Sequence, residues 1–167
     1  MFLFAFLIAA AAQPCAAPSS EVSRQLILTY ERFDTNDGEF GWRQLSARGC
    51  TDAALSLLAR YETAQADRLG RDQRSEMAFH SGQALAFAGR DREALPHFER
   101  ALAFGGTEEW KLYVEAHVAF VRHDSASLKD LRARYARVAP KSMRLKFLDG
   151  FVACPNDRYM KAAHCAM

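Results

Sequence analysis

The chain is expected to be all-α, built from antiparallel helical hairpins stacked side by side. Three observations predict this. Apolar residues recur at helical spacing along nearly the whole chain beyond residue 20. Sustained two-residue alternation is absent, and so is any Asn-Gly hairpin between Val/Ile runs. Breaks at Gly49, Gly70, Gly89 and Gly105-Gly106 separate the helical stretches. The 167 residues make one ordinary domain.

Val22, Leu26, Tyr30 and Phe33 mark a first helix over about 20–33, ended by Asp34 to Gly38. Phe40, Trp42 and Leu45 mark a short one, stopped by Gly49. Thr51 or Asp52 caps the next, which puts Ala54, Leu55, Leu58 and Tyr61 on one face. After Leu69 to Asp72 comes a helix with Met77, Ala78, Ser81, Ala84, Leu85 and Ala88, stopped by Gly89. Asp91 then caps a helix whose Ala94, Leu95, Phe98, Ala101 and Leu102 form an amphipathic stripe. Pro96 falls in or beside its first turn, where the missing N–H costs little, so it does not break the helix. Glu108 and Glu109 favour the start of the following helix, which carries Trp110, Val114, His117, Val118 and Val121. Asp124 opens a helix with Leu128, Leu131 and Tyr135, and Pro140 closes that region. A last long helix spans about Ser142 to Cys154.

Gly82, Gly89, Ala94, Phe98 and Ala101 follow a pattern in which glycine admits a close helix crossing and a second glycine turns the chain. In this the segment 81–101 resembles a tetratricopeptide repeat. A shift of 40 finds Leu45, Gly49, Ala54 and Leu58, with Trp42 in place of Gly82. A shift of 33 finds Val118, Phe120, Asp124, Leu128 and Leu131, with Glu115 and Arg122 in place of the glycines. One repeat is therefore good and two are degenerate, over residues 39–137. A single helical pair cannot bury its apolar face, so stacking is the expected outcome. The resemblance implies a short solenoid with a peptide-binding groove on the inner face of each first helix. Carried over, that groove would comprise Arg43, Phe79, Gln83, Phe87, Leu112 and Phe120, beside Glu76, Ala86, Glu109, Ala116 and Ala119. The alternative is that these side chains are buried against the next helix or against residues 20–33. Three repeats supply few turns of superhelix, which favours burial.

Phe2 to Ala12 is an unbroken apolar run, too short to span a bilayer and matching the core of a signal peptide. Ala10 and Ala12 suit cleavage before Gln13, although no Lys or Arg precedes the run. The expected organisation is a signal peptide at 1–12, a flexible mature N-terminus at 13–20, a helical repeat domain at 21–154 and a stapled tail at 155–167. Cys15 follows the apolar run, but Pro14 before it is unlike a lipidation site. An exported chain with four cysteines invites disulfides. Cys154 and Cys165 flank a turn at Pro155-Asn156-Asp157 and a short helix over Arg158 to His164, so a hairpin would join them. Cys15 and Cys50 form a possible second pair, with a buried unpaired Cys50 as the alternative. The tail is expected to bury little apolar surface of its own.

Lys+Arg total 22 against 20 Asp+Glu, and the 17 Arg are scattered, so no nucleic-acid partner is expected. No membrane span is expected once the signal is removed. No phosphate loop, nucleophile elbow or metal-ligand spacing occurs, and no catalytic residue, cofactor or metal is expected. The favoured function is an exported, periplasmic or extracellular, non-enzymatic module that binds a protein or peptide. A small exported enzyme or ligand carrier with a site near Cys50, where His80 could act as a base, is the alternative. A subunit of an envelope assembly is a third reading.

Overall fold

A computed structural model describes residues 15–35 and 40–166. The expected signal peptide and its cleavage point, and most of the turn expected at 34–38, lie outside the described residues. Among those described, all regular structure is helical: α1 (Ser19–Leu26), α2 (Tyr30–Thr35), α3 (Trp42–Ala47), α4 (Thr51–Ala64), α5 (Arg71–Phe87), α6 (Asp91–Phe104), α7 (Glu108–Val121), α8 (Ser125–Val138), α9 (Arg144–Ala153) and α10 (Tyr159–Ala163). None of these helices is long and apolar enough to cross a membrane.

The helix expected over 20–33 is two helices broken at residues 27–29. The break frees carbonyls that distant side chains take up: Gln65 Nε2 donates to Leu26 O at 2.6 Å, and the Tyr61 hydroxyl donates to Leu28 O at 2.9 Å. Ile27, at the corner, is left largely exposed.

The hairpins α3–α4, α5–α6 and α7–α8 turn in the same way. In each, two backbone bonds close the first helix: Cys50 N to Leu45 O with Gly49 N to Ser46 O, then Arg90 N to Leu85 O with Gly89 N to Ala86 O. The third hairpin has Asp124 N to Ala119 O with His123 N to Phe120 O. The pivot has positive φ every time, 79° at Gly49, 73° at Gly89 and 58° at His123. This paired-bond turn requires the left-handed conformation, which glycine adopts freely and His123 at some cost. The third hairpin is therefore offset from the second by 34 residues. The offset of 33 expected from the sequence is corrected: His123, and neither Arg122 nor a glycine, is the pivot, and Ala116 stands where Gly82 does. Burial agrees with this register, since Ala54, Ala94 and Leu128 are all buried, as are Tyr61, Ala101 and Tyr135.

Gly82 lies where α5 crosses α6. A Cβ there would sit 2.7 Å from the Phe98 ring, so the crossing depends on glycine. Helix α6 continues past Pro96 without interruption. Two clusters form the core. One gathers Phe33, Trp42, Leu57, Leu58, Tyr61 and Met77. The other gathers Phe79, Phe98, Tyr113, His117, Phe120, Phe151 and Tyr159. Helix α5 serves both, with Met77 in the first and Phe79 in the second.

Both expected cysteine pairs are at bonding distance. The Cα atoms of Cys15 and Cys50 are 5.3 Å apart, and those of Cys154 and Cys165 are 6.3 Å apart. The segment expected to be loose before residue 20 is thus fastened from Cys15 onward, with Ala17 packed on the first cluster. The expectation that the tail buries little is also corrected. Tyr159, Ala162 and Ala163 are buried, because Gly150 lets α10 lie directly on α9; a Cβ at Gly150 would be 2.3 Å from Ala162 O.

Candidate functional site

Helix α5 places Asp72, Glu76, His80, Gln83 and Phe87 on one face by their helical spacing. Flanking elements supply partners along it. The Tyr30 hydroxyl donates to Glu76 Oε2 at 2.7 Å. Burial, with Glu76 beside it, raises the Tyr30 phenol well above its ordinary value and keeps it a donor. One turn further, Asp34 Oδ1 lies 3.1 Å from His80 Nε2 and accepts from Arg43 Nη2 at 2.9 Å. His80 Nδ1 lies 3.2 Å from Gln83 Oε1, so both ring nitrogens face oxygen acceptors. Burial pushes the Asp34 carboxyl up, but His80 and Arg43 outweigh it and hold it below the usual carboxylate range. Trp42 carries the His80 ring at 4.8 Å and the Arg43 guanidinium at 4.2 Å.

Toward its N-terminus the same face of α5 opens into a cleft of about 170 Å³ lined by Asp72, Glu76, Thr107, Trp110 and Arg144. Its wall is held firmly. Trp110 Nε1 donates to Ser75 Oγ at 2.8 Å, and Ser75 Oγ donates to Ala101 O at 2.8 Å. Thr107 caps α7 by accepting from Trp110 N. The Arg144 guanidinium lies 5.2 Å from the centres of both the Trp110 and Tyr113 rings. Its Nη1 is 3.9 Å from Glu109 Oε1, which also accepts from the Tyr135 hydroxyl at 2.7 Å. The result is a polar strip with charges of both signs, an indole wall and a fixed guanidinium. Such a surface suits hydrogen bonding to an extended or helical chain.

The residues expected to line a groove divide. Arg43 is exposed and Gln83 half-buried, and the structure brings them together through Asp34 and His80. Phe87 is 40% exposed. Phe79, Leu112 and Phe120 are corrected: all three are in the core. The Phe79 ring centre is 5.0 Å from Trp110 and 4.9 Å from His117. Phe120 stacks on Phe151 at 4.3 Å. Helices α6, α9 and α10 fill the space that an open groove would need. Sequence reasoning missed the Asp34–His80 pair, because 46 residues separate its members and no local pattern links them. The spacing of Glu76, His80 and Gln83 along one helix face is the only local signal of the strip.

His117 is fully buried, with Nδ1 2.7 Å from Tyr113 O, and burial lowers its pKa to about 3. Among the described residues no group of three or more His, Cys, Asp and Glu gathers as metal ligands. Cys50, the centre of the alternative enzymatic reading, is 4% exposed and paired with Cys15. His80 engages Asp34 and Gln83 instead. Compared with models of protein families, with curated proteins and with solved structures, the chain matches none.

Proposed function

We propose that the chain is an exported, non-enzymatic module of the tetratricopeptide-like kind, binding a protein or peptide along the inner face of α5. The observation that carries this reading is the polar strip joining the Asp72–Glu76–Trp110–Arg144 cleft to the Asp34–His80–Arg43 cluster. Its side chains are held by neighbours from four other helices, which cuts the ordering cost of binding. The repeated hairpin turn supports the repeat reading, and the two cysteine pairs are compatible with an oxidising compartment, periplasmic or extracellular. Crosslinking followed by pull-down of the mature chain tests the proposal. Glu76→Lys with Arg144→Glu exchanges the charges at two of the cleft's three charged residues and is expected to cut partner recovery at least tenfold. Recovery unchanged by the double substitution would overturn it.

A further inference from the structure

The whole chain carries a net charge of +2, but residues 129–146 hold seven Lys and Arg against one acid, Asp130, a net charge of +6. The stretch covers most of α8, the turn after it and the start of α9. Three of its cations are engaged. Arg132 Nε donates to Asp149 Oδ1 at 2.6 Å, Arg134 lies 3.7 Å from Asp130, and Arg144 turns inward onto Trp110, Tyr113 and Glu109. Lys129, Arg137, Lys141 and Lys146 are exposed and form no ion pair among the described residues. Apolar side chains stand among these free cations: Val138 is 43% and Met143 69% exposed, with Pro140 exposed between them. Arg134, Arg137 and Val138 share one side of the last turns of α8 by helical spacing. Lys146 follows Met143 by one turn, its N–H donating to Met143 O at 3.2 Å. The corner is held in shape from within. The Tyr135 hydroxyl and Ser142 Oγ lie 2.9 Å apart, and both donate to Glu109 Oε1 of α7, at 2.7 and 3.2 Å.

We propose that the α8–α9 corner docks on the surface of an anionic phospholipid bilayer. Met143 and Val138 enter the boundary between headgroups and acyl chains, while Arg137, Lys141 and Lys146 meet lipid phosphates. Charge complementarity selects the partner: a cluster of unpaired Lys and Arg is drawn to an anionic membrane surface. The apolar tips select a bilayer among polyanions. A nucleic acid would pair with the cations and leave Val138 and Met143 in water, whereas a bilayer takes up both kinds of side chain. The long stems of Lys141 and Lys146 can lie along the acyl boundary with their ammonium groups in the headgroup layer. A methionine 69% exposed stands on a protruding corner, the shape that reaches a flat surface. Because Tyr135, Ser142 and Glu109 already fix the turn, little order is lost on docking. The inference is independent of the peptide-binding reading: Arg144 alone belongs to both regions, and its guanidinium faces the cleft.

The test is flotation of the mature chain, both cysteine pairs oxidised, with vesicles of phosphatidylcholine alone or of equal parts phosphatidylglycerol and phosphatidylcholine. The chain should bind the mixed vesicles at least tenfold more tightly than the neutral ones, and less tightly as salt rises. Arg137→Glu with Lys141→Glu should cut binding to the mixed vesicles at least tenfold. Arg60→Glu with Arg92→Glu, the same charge change at exposed sites elsewhere, should cut it less than threefold. A Met143→Trp chain gives a second readout. Trp42 and Trp110 are buried, so a blue shift of its emission on the mixed vesicles reports the corner entering the bilayer. Equal binding to the two kinds of vesicle would overturn the proposal, as would equal loss from the two charge-reversed pairs. So would an unshifted Met143→Trp emission on bound vesicles. Displacement by inorganic phosphate matched to the lipid phosphate would make the corner a free-anion site and overturn the bilayer. Capture by an acidic polypeptide or a nucleic acid, with no flotation, would do the same. Glu76 and Arg144 are untouched here, so their effect on partner recovery is read separately: failed flotation with recovery still dependent on them overturns this inference alone.

Discussion

The halves on either side of α5 are stabilised by different means. In the N-terminal half, short helices leave many backbone ends inside, and buried side chains answer them: Gln25 Nε2 donates to Phe40 O at 2.7 Å, and Gln65 and Tyr61 serve Leu26 and Leu28. The Cys15–Cys50 pair and the Phe33–Tyr61 stack, 3.7 Å between centres, complete it. In the C-terminal half, longer helices satisfy their own backbones and the core is rings and small residues. Three of its buried polar residues bond within the α5–α7 packing or to their own helix: Ser75, Ser81 and His117. Between the halves lies a polar seam of Tyr30–Glu76, Asp34–His80 and Glu62–Arg100. Regular hairpins can be joined by shape alone, whereas irregular ones need a hydrogen-bond acceptor or donor placed for each broken turn.

The contrast can be broken most strongly at Gly82. Gly82→Leu drives a side chain into Phe98 and should cost about 3 kcal/mol, read as a lowered urea midpoint; the same change at exposed Arg92 should leave the midpoint close to the parent's. His117 gives the next effect. Its folded pKa, about 3, lies below its ordinary value of about 6.5. The unfolded chain therefore takes up the proton first, and the stability from the neutral ring is complete above pH 6.5 and lost as pH falls toward 3. Between pH 6.5 and 5 this costs about 2 kcal/mol. Urea midpoints across that range should fall further for the parent than for His117→Leu. In the N-terminal half, Tyr61→Phe strips the donor from Leu28 O and should cost about 1 kcal/mol, while Tyr113→Phe, whose hydroxyl serves no such break, should cost less. The seam should respond least: Arg100→Ala, opposite Glu62 at the surface, is expected to shift stability by about 0.5 kcal/mol, with the shift shrinking in high salt.

Much of the C-terminal half was legible because its rules are local. The helix starts near Asp91 and Asp124 and the short helix after Pro155 follow from residues within one or two turns, and the Gly82–Phe98 contact from a pattern contained in one hairpin. The third hairpin was misaligned by one residue because His123 performs a glycine's task, and a pattern built on residue size cannot see a backbone angle. Tyr159 was missed because a lone aromatic residue has no period; only the rings that α5, α7 and α9 bring around it show that it fastens the tail to the core. The candidate site was half legible. Arg43 and Gln83 were expected together on a binding face, and they meet, but through Asp34 and His80, which approach each other only after α2 folds back on α5.

The two cysteine pairs also decide how the molecule carries load. Tension applied at Cys15 passes through sulfur straight to Cys50, and tension applied at Cys165 passes straight to Cys154. The chain between each pair is bypassed: α1 to α3 on one side and α10 on the other feel no pull while the bridges hold. Stretching then acts on residues 50–154 alone, the run from α4 to α9. Under strain, α1 to α3 and α10 would be the parts of the chain sheltered from force.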